Sequence, residues 1–311
     1  MKILIISTGI GPWPNDGWGA LENLSHEFGN CLKDLGHSVF VYHSTDNSGL
    51  SGFIRTCNPD IVHCEYDDYI HWLFPLKTEF PNIEFRFTNQ YAYLTNEHKR
   101  MSTGYARLFK DAIIATRSGL KYYCVSPEIA SEFVRCGADP ANIRVFHNGA
   151  SSSITFNAIS VKNKAVCLAK IERRKGQQYL TGMNVDFVGP ISDTWIPVPS
   201  NQYFGHWNRR KMFDSLTDYS ALVLLSDGEA HPLVVCEAMM AGLSLVISRV
   251  ASANLDTTKP WIHIVEESDF TNKEKVSKLI DDAIRNNSQH RNDIRNYALE
   301  NFSWESIAKK Y

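Results

Sequence analysis

Two carboxylates, Glu229 and Glu237, are the residues of this sequence best placed to do chemistry, and they lie in the stretch ALVLLSDGEAHPLVVCEAMMAGLSLVISRV. Ala221 to Leu225 is an apolar run of strand length, and Ser226, Asp227 and Gly228 are turn residues. Pro232 suits a helix start, where its missing N–H would have no partner anyway. Leu233 to Met240 follows at helical period, Gly242 stands where helices stop, and Leu243 to Ser248 reads as a strand. The pattern is one βαβ unit of a parallel sheet. The first amides of such a helix have no internal partners and carry partial positive charge, so they suit an anion such as a phosphate. A carboxylate accepts hydrogen bonds from hydroxyls, frequently two from a vicinal diol. Two carboxylates around a row of phosphate-binding amides suggest a sugar phosphate with further hydroxyls, as in a sugar nucleotide. The plainer alternative is two acids decorating a surface helix, Glu237 being paired with a lysine. Spacing alone leaves both open.

A second cluster precedes this one. Ala165 to Ala169 is strand-like, and Lys170, Arg173, Arg174 and Lys175 follow before Gly176, where a helix is expected. The cations read either as a solvated turn or as a grip on an anion. At the other end of the chain, Lys2 to Ser7 is a continuous apolar strand, and Gly9, Gly11, Gly17 and Gly19 form a loop that can bring backbone close to a ligand. Ala20, Leu21, Leu24, Phe28, Cys31, Leu32 and Leu35 then make one apolar helix stripe, and Ser38 to Tyr42 is the next strand. Strand, glycine loop, helix, strand is a Rossmann-like start. The loop is not G-x-G-x-x-G, since Pro14 stands where the third glycine belongs, and this argues against a nicotinamide-dependent oxidoreductase.

Buried strands recur at Pro59 to Cys64, Ile83 to Thr88, Tyr123 to Ser126 and Ile143 to Phe146. Glu65, Asp67, Asp68 and His71 follow the first of these, at the sheet edge where open α/β sheets bind ligands. Their spacing fits no strong metal pattern and no D-x-D occurs, so no metal is expected. Ala150 to Lys164, rich in Ser and Asn, reads as a linker. Lys99, Arg100, Arg107, Lys110, Arg117 and Lys121 form a basic stretch through a helix. It is read as a solvated face or, more sharply, as a peripheral contact with an anionic membrane leaflet or acceptor. Helices are expected from Lys273 to Arg285 and from Gln289 to Tyr311.

At 311 residues the chain has room for two domains of about 150 residues each. A formal charge of −2 gives no reason to expect nucleic acid. Seven scattered cysteines without C-x-x-C read as reduced thiols, and a cytoplasmic location is expected. Met1 to Ile10 is shorter than a signal-peptide core or a membrane span and reads as a first strand.

Glu229 and Glu237 with seven residues between, followed by Ala238 and Gly242, resemble the E-x7-E signature of family 4 retaining glycosyltransferases of the GT-B fold. The likeness extends to GHSVFVY at residues 36–42, to VSPEIASEFVRCGADPANIRVFHNGA ending in the Asn148-Gly149 turn, and to FSWESIAKKY near the end. Lys170 and Lys175 stand at the arginine and lysine of the family's G-R-L-x-x-x-K-G, and Gly17, Trp18, Gly19 and Glu22 lie near its G-G-x-E. Tyr203-Phe204-Gly205-His206 is similar to the strand beside the nucleotide base. One departure matters: Gln90 stands where the family usually carries a histidine in T-x-H.

The resemblance implies an α/β chain of GT-B type, with two Rossmann-like domains, each with a parallel sheet, facing across a cleft. It places an acceptor domain at 1–152, a nucleotide-sugar domain at 153–295 and a terminal helix crossing back at 296–311. The implied reaction moves a sugar from a UDP- or GDP-sugar to a glycan, lipid or other hydroxyl acceptor, with retention and without a metal or other cofactor. Glu229 would hold donor-sugar hydroxyls and Glu237 the ribose diol, while Lys170, Lys175 and the amides of Leu233 and Val234 would hold the diphosphate. Gln90 would face the donor sugar; His231, Gly205, Gly17 and Gly19 would line the donor; Trp18, Asp67 and Tyr91 would meet the acceptor. A silent sugar-nucleotide binding protein and a nucleotide-sugar epimerase remain as alternatives, and the sequence does not name the sugar, base, acceptor or oligomeric state.

Overall fold

The structure is a computed structural model that describes every residue from Met1 to Tyr311 except Asn15 and Trp18. Trp18, expected at the acceptor, therefore lies outside the described residues. Contacts divide the chain into two compact units: Met1–Asn148 with Ile307–Tyr311, and Gly149–Ser306.

In unit 1 a six-stranded sheet has the order β2-β1-β3-β4-β5-β6, from β1 (Lys2–Ser7), β2 (Ser38–His43), β3 (Ile61–Cys64), β4 (Glu84–Phe87), β5 (Lys121–Cys124) and β6 (Ile143–Val145). Every pairing is parallel. Parallel sheets need covered faces, which is why β1 and β3 read as continuous apolar runs. Helix α1 (Ala20–Asp34) follows the glycine loop, with Gly19 at its N-cap. A Cβ on Gly9, at φ +68°, would lie 2.2 Å from the Ser44 carbonyl carbon. That closeness of backbone to backbone is what the first glycine provides. The basic stretch is not one helix. It divides into α4 (Glu97–Ser102), after α2 (Leu50–Cys57) and α3 (Ile70–Glu79), and α5 (Ala106–Arg117). Gly104, at φ +80°, separates the two.

Unit 2 holds a five-stranded parallel sheet of order β11-β10-β9-β7-β8, from β7 (Ala165–Leu168), β8 (Val185–Val188), β9 (Ala221–Leu224), β10 (Ser244–Ser248) and β11 (Ile262–Val265). Strands β7 to β10 are buried along their whole length. The expected helix after Lys175 is absent. Two single 3-10 turns, Arg173–Lys175 and Gln177–Tyr179, carry the crossover instead. Gly176, at φ +77°, closes the first turn in a left-handed conformation that α-helix cannot continue through.

The stretch read as a linker is bound into unit 2. Ala150 and Ile154 are in its core, and Thr155, Asn157 and Lys162 donate backbone hydrogen bonds to Phe213, Thr217 and Asp218. Serine and asparagine signalled loop backbone correctly, but that backbone is paired. The two helices expected near the end are one, α9 (Lys273–Phe302), following α6 (Pro127–Arg135), α7 (Arg209–Ser215) and α8 (Leu233–Met240); α10 (Trp304–Ala308) comes after it. The polar run Asn286-Asn287-Ser288 does not break α9, because it holds no glycine or proline and Asn287 is buried. Its Nδ2 donates to the Gly242 carbonyl at 2.9 Å.

Candidate functional site

In unit 2, β7 leads outward to β8, whereas β9 leads the other way to β10 and β11. The loops after β7 and β9 therefore part at a topological switch point, where open α/β sheets leave a crevice at their carboxyl edge. Both charge clusters singled out from sequence sit on these two loops. Gly176 makes the juxtaposition possible, since a Cβ there would lie 2.3 Å from the Leu225 carbonyl oxygen. The Asp227 amide donates to the Arg174 carbonyl at 2.9 Å, and Arg174 Nη1 donates to the Gly228 carbonyl at 2.7 Å.

Lys175 Nζ lies 2.5 Å from Glu229 Oε1, with Arg174 Nη1 at 3.5 Å from the same oxygen. Burial alone would push the Glu229 carboxyl up. The Lys175 and Arg174 charges, with hydrogen bonds from Lys175 and Ser226, hold it below the usual carboxylate range. Glu229 is thus a buried anion kept charged by two cations. Lys170 is exposed and pairs with no carboxylate among the described residues, while its carbonyl accepts from Gln177 Nε2 at 2.8 Å. Glu237 is buried on α8, and its partner is Arg209 rather than a lysine. Arg209 opens α7, whose N-cap Asn208 accepts from the Lys211 amide at 2.9 Å.

Pro232 is the N-cap of α8, and the amides of Leu233 and Val234 donate to no group among the described residues. They stay available to an anion, as the first turn of a helix leaves them. His231 is buried, its Nε2 3.8 Å from Cys236 Sγ. Gly205, at φ +68°, accepts from the Gly189 amide at 2.9 Å and so ties the Tyr203 segment to the end of β8.

In unit 1 the Gly17 carbonyl accepts from Asn23 Nδ2 at 3.3 Å, and the Gly19 carbonyl from the Asn23 amide at 2.9 Å. Thr8 donates its hydroxyl to buried Glu22. Gln90 is engaged twice by Asn148, its Nε2 donating to Oδ1 at 3.0 Å and its Oε1 accepting from Nδ2 at 2.9 Å. Its backbone amide donates to Asp67 Oδ2 at 3.0 Å. Asp67 is buried with Oδ1 unpartnered, and burial raises its carboxyl well above the usual range. Tyr91 is buried with its ring 4.6 Å from that of Tyr105.

Three further residues complete these clusters. Arg174 staples the two loops of unit 2, and Arg209 balances Glu237. Glu65, at the end of β3, is buried and pushed up to about 7 by that burial, against a lowering hydrogen bond from Gln90. Arg174 was visible as one of four cations but not distinguishable among them. Arg209 had only its place after a capping Asn, and Glu65 only its place at a strand end. Among the described residues no group of three His, Cys, Asp or Glu is arranged to hold a metal ion.

No protein-family model matches the sequence, and no curated protein matches it. Solved structures do. A sucrose-phosphate synthase from Thermosynechococcus elongatus superposes with TM-score 0.78 at 16% identity, covering 100% of this chain and 97% of that one. Anabaena HepE in complex with UDP-glucose gives 0.69 at 13% identity, over 100% and 98%. WaaG, a glycosyltransferase involved in lipopolysaccharide biosynthesis, also gives 0.69 at 13% identity, over 100% and 98%. With two parallel sheets and full coverage, the chain has the GT-B fold of these proteins.

Proposed function

We propose that the chain is a glycosyltransferase that binds a nucleoside diphosphate sugar in unit 2 and transfers its sugar to a hydroxyl acceptor. The observation that carries this is the switch-point cluster: Lys170, Lys175 and two free helix amides beside Glu229, with Glu237 one helical turn further on. Cations and amides suit a diphosphate, and carboxylates suit hydroxyls. HepE, which shares the fold, has UDP-glucose bound, so a UDP-sugar is the first donor to test and a GDP-sugar the second.

In this reading Glu237 takes the ribose diol and Glu229 the hydroxyls of the donor sugar, while His231 and Gly205 flank the donor. The acceptor oxygen forms its bond to the anomeric carbon as the bond from that carbon to the diphosphate breaks. The hydroxyl proton passes to the departing phosphate oxygen, as family 4-like retention requires. Lys170, Lys175 and the Leu233 and Val234 amides stabilise the charge that develops on the leaving group, which is electrostatic catalysis by preorganised groups. Unit 1 brings the backbone of Gly17 and Gly19 to the donor and supplies the acceptor groups, with Asp67 and Tyr91 as candidates and a peripheral membrane contact through α4 and α5 for a lipid acceptor.

The test is release of UDP or GDP and transfer of label from each nucleotide sugar, run with and without a chelator. Turnover that is unchanged by the chelator is expected, because the leaving group is neutralised by side chains. Turnover abolished by the chelator and restored by a divalent cation would contradict it. A second reading, a silent nucleotide-sugar binding protein, is favoured by one observation: both ends of the Gln90 amide are already held by Asn148. Donor binding without transfer or hydrolysis would select that reading.

A further inference from the structure

A groove of about 470 Å³ opens in unit 2 beside the cationic turn, lined by Arg173, Gln178, Tyr179, Asp193, Trp195 and Ile196. Neither Lys175 nor Glu229 lines it. The backbone explains its position. Ile191 bridges to Ile171, and the Ser192 and Asp193 amides both donate to the Ile171 carbonyl at 3.0 Å, so the segment after β8 lies against the start of the cationic loop. Asp193 Oδ1 accepts from the Trp195 amide at 3.0 Å and fixes the turn that presents the indole.

Trp195 is 91% exposed, more than any other large apolar side chain described. Single exposed apolar residues need no explanation, but two charged groups share the groove with this one. Gln178 Nε2 donates to the Arg173 carbonyl at 3.0 Å and braces the turn that carries Arg173. Arg173 pairs with no carboxylate, and Asp193 with no cation, among the described residues. One positive and one negative charge nearly cancel, so the groove suits a neutral polar ligand rather than an anion. A flat apolar plate beside an unpaired guanidinium and a carboxylate matches a pyranose, whose C–H face is apolar and whose rim carries hydroxyl donors and acceptors.

We propose that this groove is a saccharide subsite, separate from the donor site, in which Trp195 stacks on a sugar ring while Arg173 and Asp193 hold its hydroxyls. A volume of about 470 Å³ leaves room for more than one ring, so the ligand class is an oligosaccharide rather than a free hexose.

The experiment is electrophoresis of the full chain through gels containing maltoheptaose-, cellopentaose-, mannopentaose- or chitopentaose-bearing polymer, without any nucleotide. Absence of the nucleotide separates this test from the donor reading. Retardation by at least one polymer is expected, weakened tenfold or more in Trp195→Ala and largely kept in Trp195→Phe, while the unfolding temperature of the Ala variant stays within a few degrees of the parent. No retardation by any polymer, or equal retardation of the Trp195→Ala variant, would overturn the proposal. A shift in indole fluorescence with uridine or guanosine that Trp195→Ala abolishes would overturn it too, by giving the groove to a nucleobase.

Discussion

Lys175 is the central residue of the proposed donor site. It is partly buried and lies 2.5 Å from Glu229. Lys175→Ala removes a charge-assisted contact worth roughly 1.5–3 kcal/mol, or about ten- to a hundredfold in kcat/KM. Steady-state kinetics with the transferred donor measures this, and an unchanged kcat/KM would remove Lys175 from the site. The acids of unit 1 make a second prediction. Burial raises Glu65 to about 7, so between its unfolded value near 4.5 and 7 the folded chain binds the extra proton. That contribution to stability is fully present below pH 4.5 and is lost as pH rises through 7. Asp67 is raised as well and acts in the same sense, whereas His63, lowered to about 3 by burial and Arg86, acts oppositely between pH 3 and 6.5. Glu65→Gln therefore gains stability relative to the parent between pH 5 and pH 8, by roughly 2–3 kcal/mol. Denaturant titrations at the two pH values check this, and a difference that does not change with pH would contradict it.

At the scale of elements, α9 is bound into unit 2 by its apolar face and by Asn287, Arg291 and Arg295. Arg291 is 1% exposed and donates to the carbonyls of Thr217, Tyr219 and Asn157, the Tyr219 contact at 2.9 Å and the Asn157 contact at 2.5 Å. Desolvation lowers it to about 10, a shift that the nearby Asp218 charge offsets only in part. Arg291→Met fills similar volume but leaves several buried carbonyls without donors, each worth about 1–3 kcal/mol. A loss of roughly 3 kcal/mol or more in chemical denaturation is expected, and a loss below about 1 kcal/mol would show that those carbonyls find other partners. This contact was illegible in the sequence, because an arginine among the charged residues of a helix reads as solvent-facing. The strands were legible, since β7, β9 and β10 carry continuous apolar runs whose burial on both faces requires that pattern. What failed were the connections. The missing helix after Gly176, the continuity of α9 and the anchoring of residues 150–164 depend on tertiary hydrogen bonds that local composition does not report.

On the scale of the molecule, the chain forms two contact units, and the last five residues return to the first of them. Tyr311 donates or accepts at His63 Nδ1, 2.7 Å away, and lies under the Arg86 guanidinium at 4.3 Å. The GT-B fold follows from this architecture and from its solved counterparts. Among the described residues no helix is long and apolar enough to cross a membrane. The two charge clusters holding Lys175 and Glu229 could be singled out from sequence, because charge next to turn residues survives in one dimension, but their pairing shows only in the fold. Arg209 could not be singled out, because its pairing with Glu237 joins helices 28 positions apart in sequence. The central claim is that unit 2 holds a nucleoside diphosphate sugar. The most direct measurement is a thermal-shift panel of nucleotides and nucleotide sugars on the parent and on Glu237→Ala. At 100 times its dissociation constant a ligand adds about 2.7 kcal/mol of stability. A shift with one base that Glu237→Ala abolishes is the predicted result, whereas no shift with any nucleotide, or an equal shift in the variant, would contradict the account.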